Sequence, residues 1–573
     1  MNARVKKISI SDALPVGKHT FTFSVDIDQE KCTGCGICAI ECPSRIIEMA
    51  PRAGVYKSYC TENCLAENDV RAAMFSIREG GNYSDAWKAL TAVNPLLACT
   101  GRACPHPCEE VCSRTYLDEA VNLHEFERFI GDYGIKNGLK HTLPSNKRDE
   151  HIAVIGGGPV GLSCAYHLVL RGFQVTIFEK QEMLGGMLRY GVPAFRVPKD
   201  ILDAEINAIL ALGIEVNCGV TVGSDRLINK LKIDYDAIFL AMGAQRELKL
   251  AVPGNESVIS GLSFLHNAAE NRLIALGENV VVIGGGNVAV DCARTAIRSG
   301  AKNVTLVCVE ERYAMPALER DIIEGLEEGI KITCKYGVKY IEANTVVLKG
   351  CIRVFDENNR FNPLYDENDT LSLPADTVIS AIGQAPDTDW LAKDGGVQTM
   401  RGGFVLINNE RDCATNVLGI YAGGDVTYHE KYGSIAGAIN MGKNAALSIV
   451  QKLTGEAPQY VQTPTPVVSS IDQAKYNKIA PRNEAAILSP AARLAATDRD
   501  MIPALSESVL GQEIQRCLVC AAAVAEYVGP QNAKLFNIAC NNCHNCVSVC
   551  KEKAISFAYK TFGRSSEIKF SDD

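Results

Sequence analysis

The chain has 573 residues, of which 47% are hydrophobic, and carries a formal net charge of −9. This length predicts several domains, and the acidic balance argues against a nucleic-acid-binding surface. No apolar run approaches the ~20 residues of a membrane span, and no apolar signal segment follows the basic N-terminus, so we expect a cytoplasmic protein without a membrane span.

Cysteine is the unusual residue type, with 23 copies. Ten lie between positions 32 and 112, six lie between 517 and 550, and seven are isolated in between. Disulfide scaffolds are typical of small secreted domains, so the clustered cysteines predict metal sites instead. The isolated ones predict buried apolar thiols. They are Cys164, Cys218, Cys292, Cys308, Cys334, Cys351 and Cys413.

The first element, residues 1–55, is predicted to be a ferredoxin-like iron–sulfur segment. Its cysteines have the spacing C-x2-C-x2-C-x3-C, in which three thiolates grip one [4Fe–4S] cube while the fourth usually reaches a second cube. Zinc is the alternative, but zinc ribbons use two separated pairs. Cys60 and Cys64, just downstream, are available as further ligands. The four cysteines are Cys32, Cys35, Cys38 and Cys42.

Residues 56–148 mix polar and apolar residues at helical spacing, which predicts a helical iron–sulfur domain. Cys104, Cys108 and Cys112 recur there at C-x3-C-x3-C, and Cys99 stands one turn earlier. Three thiolates are one ligand short of a four-ligand centre. Cys99 is either part of such a centre, together with a non-cysteine ligand, or only a buried thiol.

From residue 149 short β-rich runs alternate with glycine-rich turns and helices, which predicts a doubly wound α/β fold. IAVIGGGPVG places Gly156, Gly158 and Gly161 between a strand and a helix, as in dinucleotide-binding loops. Gly156 permits a tight turn, and Gly158 lets the backbone approach a pyrophosphate on the helix N-terminus. Glu179 ends the second strand, where it can bind an adenosine ribose.

A second unit of this kind begins in NVVVIGGGNVAV, with Gly284, Gly286 and Ala289 at the loop positions. Two units in one chain predict two dinucleotides. GIYAGGDV, which holds Gly424 and Asp425, resembles the late flavin-contacting segment of two-dinucleotide flavoproteins. We therefore assign FAD to the first unit and the nicotinamide nucleotide to the second.

The end of the chain returns to cysteines. Cys517 and Cys520 are available to complete a second run, which repeats the N-terminal spacing and predicts another [4Fe–4S] site. That run consists of Cys540, Cys543, Cys546 and Cys550.

These changes of pattern predict the domain boundaries. The Pro-, Ala- and Ser-rich stretch before the last cysteines is interpreted as a linker that wraps the surface. After the two segments already described, we predict an FAD-binding domain in two sections (149–275 and 381–455) with an NAD(P)-binding domain (276–380) inserted between them. A linker (456–510) and a C-terminal ferredoxin-like [4Fe–4S] domain (511–573) follow.

Together these motifs resemble the glutamate-synthase small-subunit family, whose relatives include the amino-terminal half of dihydropyrimidine dehydrogenase and the large subunit of the electron-bifurcating NADH-dependent ferredoxin:NADP oxidoreductase. The resemblance covers residues 60–455 and rests on NPLLACTGRACPHPCEEVC, LGGMLRYGVPAFRVPKDIL, SAIGQAPD and AGGDV. It implies two Rossmann-like domains, a helical iron–sulfur domain before them and added ferredoxin-like segments. The implied cofactors are FAD, NAD(P) and three to four [4Fe–4S] clusters.

The resemblance also implies a fourth ligand for the regular thiolates. One cluster of the family is held by three cysteines and a Gln or Glu further along the chain, and this position matches Glu127 in VNLHEFER. The alternative is that Glu127 is a solvated helix residue. The family's other cluster uses C-x2-C-x4-C-x3-C, of which only Cys60-x3-Cys64 remains here.

Further cofactor contacts follow from the same motifs. The segments Arg189 to Arg196 and Gly433 to Ala436 are expected to line the flavin. The remaining positions expected to contact FAD or the nicotinamide nucleotide are Gly185, Gly186, Arg189, Gly243, Asn287, Glu310, Arg312, Gly383, Ser434 and Ile435.

The second strand of the inserted unit bears on nucleotide choice. NADPH-using members of the family end it with an Arg-Arg pair that grips the 2′-phosphate, whereas this chain has Val309 and Glu310. An acid repels a phosphate and accepts a free 2′-hydroxyl, which favours NAD(H). Arg312 can still reach a phosphate.

The predicted function is that of an FAD- and iron–sulfur-dependent NAD(P)H oxidoreductase subunit. It passes electrons between a nicotinamide nucleotide and ferredoxin, or a redox partner in a larger complex. The sequence does not decide whether that complex bifurcates electrons. One alternative is a glutamate-synthase small subunit, against which the added ferredoxin-like segments argue. The other is a non-catalytic electron-wiring subunit, against which two intact nucleotide loops argue.

Overall fold

The computed structural model describes residues 58–456, except 117, 145, 273 and 429–432, and residues 481–520. Short strands are also described outside these ranges. They are Ile8–Ser9, Leu14–Val16, His19–Ile27, Val467–Val468, Ala523–Val524 and Ile555–Thr561. Both predicted C-x2-C-x2-C-x3-C runs lie outside the described residues. In the portion of the chain that is described, no helix is long and apolar enough to cross a bilayer.

Residues 58–148 contain the predicted helices and are called the helical domain. Small residues bring two of the helices into close contact, since a Cβ at Gly131 would lie 2.4 Å from Ala98 N and one at Gly101 would lie 2.5 Å from Arg128 Cα. The described helices are Tyr59–Glu62, Val70–Arg78, Tyr83–Thr91, Leu97–Ala103, Pro107–Glu110 and Leu123–Lys136, with a 3-10 turn at Ser113–Tyr116.

The first nucleotide unit is a five-stranded parallel sheet covered by helices. Its strands, in spatial order, are Ile420–Ala422, Ala237–Leu240, His151–Ile155, Gln174–Glu179 and Glu215–Cys218. Its helices are Pro159–Val169, Met187–Tyr190, Lys199–Leu210, Ile228–Asp234, Leu391–Asp394 and Ile435–Thr454, with a 3-10 turn at Gly424–Val426. The predicted α/β fold is confirmed.

The second nucleotide unit repeats the arrangement. Its parallel strands, in spatial order, are Lys331–Thr333, Asn303–Val307, Asn279–Ile283, Thr377–Ser380 and Ile259–Ser260. Its helices are Gly261–Ala269, Asn287–Arg298 and Glu319–Glu327, with 3-10 turns at Asn255–Ser257 and Arg312–Ala314. An antiparallel sheet of Tyr336–Glu342, Thr345–Phe355 and Phe361–Pro374 packs beside it.

Two strand pairings mark how the second unit is inserted. Arg246–Glu247 pairs antiparallel with Gln384–Ala385, so the chain leaves and re-enters the first unit at one place. Ile259–Ser260 joins the second sheet. The second unit therefore begins before residue 276, the boundary that the sequence pattern predicts.

Residues 481–520, which we call the C-terminal arm, pack against the helical domain and the second unit. Arg102 of the helical domain forms an ion pair of 2.9 Å with Asp500, and Arg493 donates to Glu327 at 2.6 Å. The arm contains helices Pro490–Ala495 and Glu507–Arg516. The second helix runs across residue 510, where the predicted linker ends and the C-terminal domain begins.

The two ends of the chain meet in a sheet. His19–Ile27 pairs antiparallel with Ile555–Thr561, and Ile27 lies opposite Ile555. The first strand ends shortly before Cys32 in the sequence, and the second begins shortly after Cys550.

Candidate functional site

At Gly156 and Gly161 the loop of the first unit leaves no room for larger residues. Gly156 has φ +111°, and a Cβ there would lie 2.3 Å from Ala241 O. A Cβ at Gly161 would lie 2.0 Å from Gly156 O. Gly158 begins helix Pro159–Val169, whose unpaired N–H groups suit an anion. The loop therefore has the shape that a pyrophosphate requires.

A second glycine turn covers this loop. Gly185 has φ +124° and donates to Gly157 O at 2.8 Å. A Cβ at Gly186 would lie 2.7 Å from Gly158 Cα, so only glycine lets the two turns meet. Beside them, the buried Glu179 accepts from Gly157 N at 2.7 Å. The predicted ribose-binding acid thus lies against the pyrophosphate loop.

Most other predicted flavin positions lie at strand ends and helix starts of this unit. Arg189 is buried, forms an ion pair with Asp203 and donates to Leu184 O. Ser434 caps helix Ile435–Thr454 by accepting from Gly437 N at 3.1 Å. Gly243 and Gly383 have φ of +67° and +122°, and Gly424 and Asp425 form a 3-10 turn after strand Ile420–Ala422.

The loop of the second unit has the same backbone but is less covered. Gly284 has φ +142°, and a Cβ there would lie 2.4 Å from Ala381 O. A Cβ at Gly286 would meet no atom within 4 Å. Asn287 Oδ1 accepts from Leu318 N at 2.7 Å, which fixes the start of the helix, and Ala289 is buried beneath it.

The side chains that bear on nucleotide choice have separate partners. A Cβ at Gly285 would lie 2.7 Å from Glu310 Oε2, so this carboxylate closes on the loop. Arg312 instead forms two hydrogen bonds of 2.8 and 2.9 Å with Glu319 near the surface. Glu310 thus lies against the loop, whereas Arg312 is held in an ion pair away from it.

In the helical domain Glu127 lies with three of the predicted thiol ligands. Neighbouring charges couple them, since the Glu127 carboxylate raises the pKa of both Cys64 and Cys104, after burial as the main cause. Cys108 is coupled to Cys64 in the same way. Glu127 is buried and accepts from Asn94 Nδ2 at 3.1 Å, so it is no solvated residue. We call these four residues the thiolate–carboxylate site.

Backbone N–H groups already point at the sulfurs of this site. Asn68 N donates to Cys64 Sγ at 3.3 Å, and His106 N donates to Cys104 Sγ at 3.4 Å from a residue with φ +58°. Such bonds stabilise cluster thiolates and tune their potential. Burial raises the pKa of Cys64 to about 12 and that of Glu127 to about 7. Binding a cluster must therefore release protons.

The thiols of this site do not converge closely enough to hold a single metal ion. In residues 58–456 and 481–520 no group of three or more His, Cys, Asp or Glu side chains could hold a single metal ion. A four-iron cube is bulkier than one ion, so its ligands stand around a cavity. The residues of the thiolate–carboxylate site fit such a cluster in number and chemistry.

This site touches the first nucleotide unit. Ala436, at the start of helix Ile435–Thr454, packs with Ala66 and Cys104 in one small apolar cluster. Lys443 of the same helix forms an ion pair of 2.6 Å with Glu67. The segment expected to line the flavin is therefore in contact with a thiol of the helical domain.

Cys99 lies apart from the cluster ligands. It is fully buried in the core of the first unit, and its backbone N–H donates to Glu205 Oε2 at 3.1 Å. Of the two interpretations that the sequence left open, the structure supports the buried thiol. Of the seven isolated cysteines, Cys218 is exposed and Cys334 half-buried, because each lies at an edge strand or just after one.

A second set of cysteines lines a cavity beside the first. Cys60 and Cys112 of the helical domain line it together with Cys517 and Cys520 of the C-terminal arm. The resemblance groups Cys112 with Cys104, Cys108 and Glu127, but the fold puts Cys64 in that group and Cys112 in this cavity. We expected the arm's pair to complete the C-terminal run, but the fold places it here. Sequence reasoning missed this because the two halves lie more than 400 residues apart.

Two buried polar residues join the units, of which Glu205 was missed and Arg196 was expected to line the flavin. Glu205 accepts from Ala98 N at 2.7 Å and so binds the helical domain to the first unit. Arg196 forms ion pairs of 2.9 Å with Asp291 and Asp321 and so binds the first unit to the second. Neither has a sequence signal, since the partners lie in different units.

Comparison with known families agrees with this geometry. A model of the pyridine nucleotide-disulphide oxidoreductase family matches residues 142–442, one of dihydropyrimidine dehydrogenase domain II, 4Fe-4S cluster, matches 43–139, and one of the 4Fe-4S binding domain matches 25–48. The fold and the site thus define a two-dinucleotide flavoprotein with iron–sulfur domains, which binds FAD, NAD(P) and [4Fe–4S] clusters. The chain belongs to the pyridine nucleotide-disulphide oxidoreductase family.

Curated relatives show the same combination. The chain is 34% identical over 70% of its length to the NADP(+)-dependent formate dehydrogenase subunit beta of Moorella thermoacetica, and the match covers 62% of that protein. It is 29% identical to the NAD-dependent dihydropyrimidine dehydrogenase subunit PreT of Escherichia coli K12, over 69% of the chain and 91% of that protein.

The family predicted from the motifs is also among these relatives. The glutamate synthase [NADPH] small chain of Azospirillum brasilense is 28% identical, with coverage of 70% of this chain and 88% of that protein. The resemblance seen in the sequence is confirmed. The match spans less than two thirds of the formate dehydrogenase subunit. The activity in that protein's name is therefore not assigned to this chain.

Proposed function

We propose that the protein is an electron-transfer subunit that exchanges electrons between a nicotinamide nucleotide and a redox partner, such as ferredoxin or a neighbouring subunit. The observation that carries the proposal is the contact of Ala436 with Cys104 and Ala66. It brings the helix start expected beside the flavin against a thiol of the thiolate–carboxylate site. Bound FAD would accept a hydride and pass electrons on singly.

The residues of the chain would orient the two nucleotides and keep water out. The turn at Gly186 packs over Gly158 in the first loop. Arg196 fixes the second unit against the first through its ion pair with Asp291. This arrangement supports transfer between rings held by two separate units. No catalytic base is needed, since a hydride carries both its proton and its electrons.

We further propose that NAD(H) is the preferred nucleotide. The support is the Glu310 carboxylate, which lies against the loop residue Gly285, and the pairing of Arg312 with Glu319. Relatives include proteins named for NAD and for NADP, so the choice rests on these side chains.

Anaerobic stopped-flow mixing with NADH or NADPH tests the proposal. We expect the flavin absorbance to bleach first, the cluster absorbance to follow, and NADH to react faster. A flavin that neither nucleotide reduces would contradict the function. Co-purification with an amidotransferase subunit would instead favour the glutamate-synthase alternative.

Glu127→Ala tests whether electrons pass from the flavin to a cluster in the thiolate–carboxylate site. Glu127→Cys is the matched control, since cysteine restores a fourth ligand. In the alanine variant the flavin should still be reduced, but a reductive titration should consume fewer electrons per chain. The cysteine variant should regain the lost capacity with an altered potential. Equal capacity in all three proteins would contradict a ligand role for Glu127.

A further inference from the structure

The cavity between the helical domain and the C-terminal arm has four cysteines in its wall, Cys60, Cys112, Cys517 and Cys520. Cys517 belongs to the hydrophobic cluster of the helical domain, and Cys60 and Cys112 pack against that cluster. Four thiols around one buried space form the donor set of a [4Fe–4S] cube.

The arm turns sharply so that both of its cysteines face this cavity. Val519, between them, has φ +53° and is buried. A β-branched residue rarely adopts this conformation, and such strain is found where the surrounding structure demands it. The turn is fixed at its ends, since Arg78 donates to Cys517 O at 3.1 Å and Arg71 donates to Cys520 O at 2.8 Å.

The charge and hydrogen bonding of the wall suit thiolates. Arg71 and Arg114 line the cavity and are almost fully buried. Ser58 Oγ lies 2.9 Å from Cys60 Sγ. Such donors and cations stabilise the negative charge that four thiolates bring into a buried site.

The sequence agrees with this placement. Cys60 lacks the C-x2-C pair that the family's other cluster has just upstream of this position, and Cys517 and Cys520 form a pair with that spacing. We propose that Cys60, Cys112, Cys517 and Cys520 hold a [4Fe–4S] cluster, so that the C-terminal arm supplies half of a metal site of the helical domain. The assignment does not depend on which nucleotide or partner the protein uses.

This cluster would lie next to the thiolate–carboxylate site. The charges of both Cys64 and Cys60 raise the pKa of Cys108, whose main cause is again burial, so Cys108 stands between the two sets of ligands. Electrons that reach the first cluster would therefore have a second one as their neighbour.

Iron and sulfide analysis of the full-length protein, purified without oxygen, tests the assignment. The variants are Cys60→Ala with Cys112→Ala, Cys517→Ala with Cys520→Ala, and the combination of all four. Each pair should lose one cluster, four iron and four sulfide atoms per chain, and remove the same electron paramagnetic resonance signal. The combination should lose no more than either pair, because all four residues serve one cluster.

Three results would overturn the proposal. If Cys517 and Cys520 served the run at Cys540–Cys550, the two pairs would remove different signals and the combination would lose twice the iron. Unchanged iron in the arm variant, or zinc in place of iron in the wild-type protein, would also overturn it. The control is Cys218→Ala with Cys413→Ala, which should keep all the iron. Flavin content at the wild-type level shows that each variant has folded.

Discussion

The two nucleotide units share a motif but differ in how far their loops are enclosed. In the first, the turn at Gly185 and Gly186 lies directly on the pyrophosphate loop, where a Cβ at Gly186 would overlap Gly158. In the second, Gly286 has no neighbouring atom within 4 Å of its Cβ position. The second glycine of the motif is thus faced by a neighbouring turn in the first unit, at Gly158, and by no atom within 4 Å in the second, at Gly286.

We interpret this difference as the one between a resident cofactor, FAD in the first unit, and an exchanging nucleotide in the second. An enclosed loop slows release and suits FAD, which stays bound through every turnover. An open loop suits a nicotinamide nucleotide, which must enter and leave. A glycine-rich loop alone therefore does not tell a prosthetic group from a substrate, whereas the residues packed over it do.

The largest effect should come from one methyl group placed in each loop. Gly158→Ala should fold, because its Cβ would meet only Gly186 Cα at 3.7 Å, but the methyl would occupy the space of the pyrophosphate and the protein should lose most of its FAD. Gly286→Ala should keep FAD and lower kcat/KM for NADH by about tenfold or more. Flavin absorbance and steady-state kinetics measure the two effects. Equal flavin loss in both variants would contradict the comparison.

The second nucleotide unit is attached to the first by the buried ion pairs of Arg196, and a substitution there should weaken the attachment. Its guanidinium is buried between Asp291 and Asp321, so Arg196→Met should destabilise the protein by about 3–5 kcal/mol by leaving two carboxylates unpaired. Arg246→Met removes an exposed pair with Asp389 and should cost less than about 1 kcal/mol. Urea unfolding of both variants measures the difference. Equal destabilisation would show that burial of the pair is unimportant.

Glu205 attaches the enclosed unit to the helical domain and should make stability depend on pH. Burial raises its pKa to about 7, so the folded protein holds a proton that the unfolded chain releases above its ordinary pKa near 4.5. Stability should therefore fall by on the order of 3 kcal/mol as pH rises from 4.5 to 7 and then level off. Unfolding midpoints of wild type and Glu205→Gln across this range measure it. Parallel curves would contradict the prediction.

The smallest effect concerns the nucleotide that enters the open unit. Glu310→Arg should raise the NADPH to NADH ratio of kcat/KM by about tenfold, or 1.4 kcal/mol, because a cation replaces an anion beside the 2′ position. Glu319→Gln releases Arg312 from its ion pair and should shift the ratio in the same direction by less. Steady-state kinetics with both nucleotides measure the ratio. An unchanged ratio in Glu310→Arg would place the ribose elsewhere.

The sequence was sufficient to predict the features that depend only on neighbouring residues in the chain. Both loops, and the acid at Glu179, lie next to the strands and helices that shape them, so their spacing was sufficient. The ligand role of Glu127 was predicted from a family resemblance, and its burial beside Cys64 is consistent with that role. Residues that act across units gave no such signal.

The arm shows why the rest could not be predicted. A composition rich in Pro, Ala and Ser is typical of a linker, but Arg493 and Asp500 within it form buried or half-buried ion pairs with other units. The only sequence sign was that Cys60 lacks the C-x2-C pair that the family has just upstream, whereas Cys517 and Cys520 form a pair with that spacing far along the chain. Deciding which thiols belong together requires the fold.

The docking of the arm also sets the order in which the protein can mature. Arg71 and its acceptor at Cys520 are separated by 449 positions, which a ribosome takes roughly 20–90 s to translate at about 5–20 residues per second. During that interval the nascent helical domain displays Cys60 and Cys112 with nothing to close over them. For the cluster proposed at these residues, insertion of iron would have to wait until the arm has been synthesised, and a product truncated before the arm would carry only two of the four ligands.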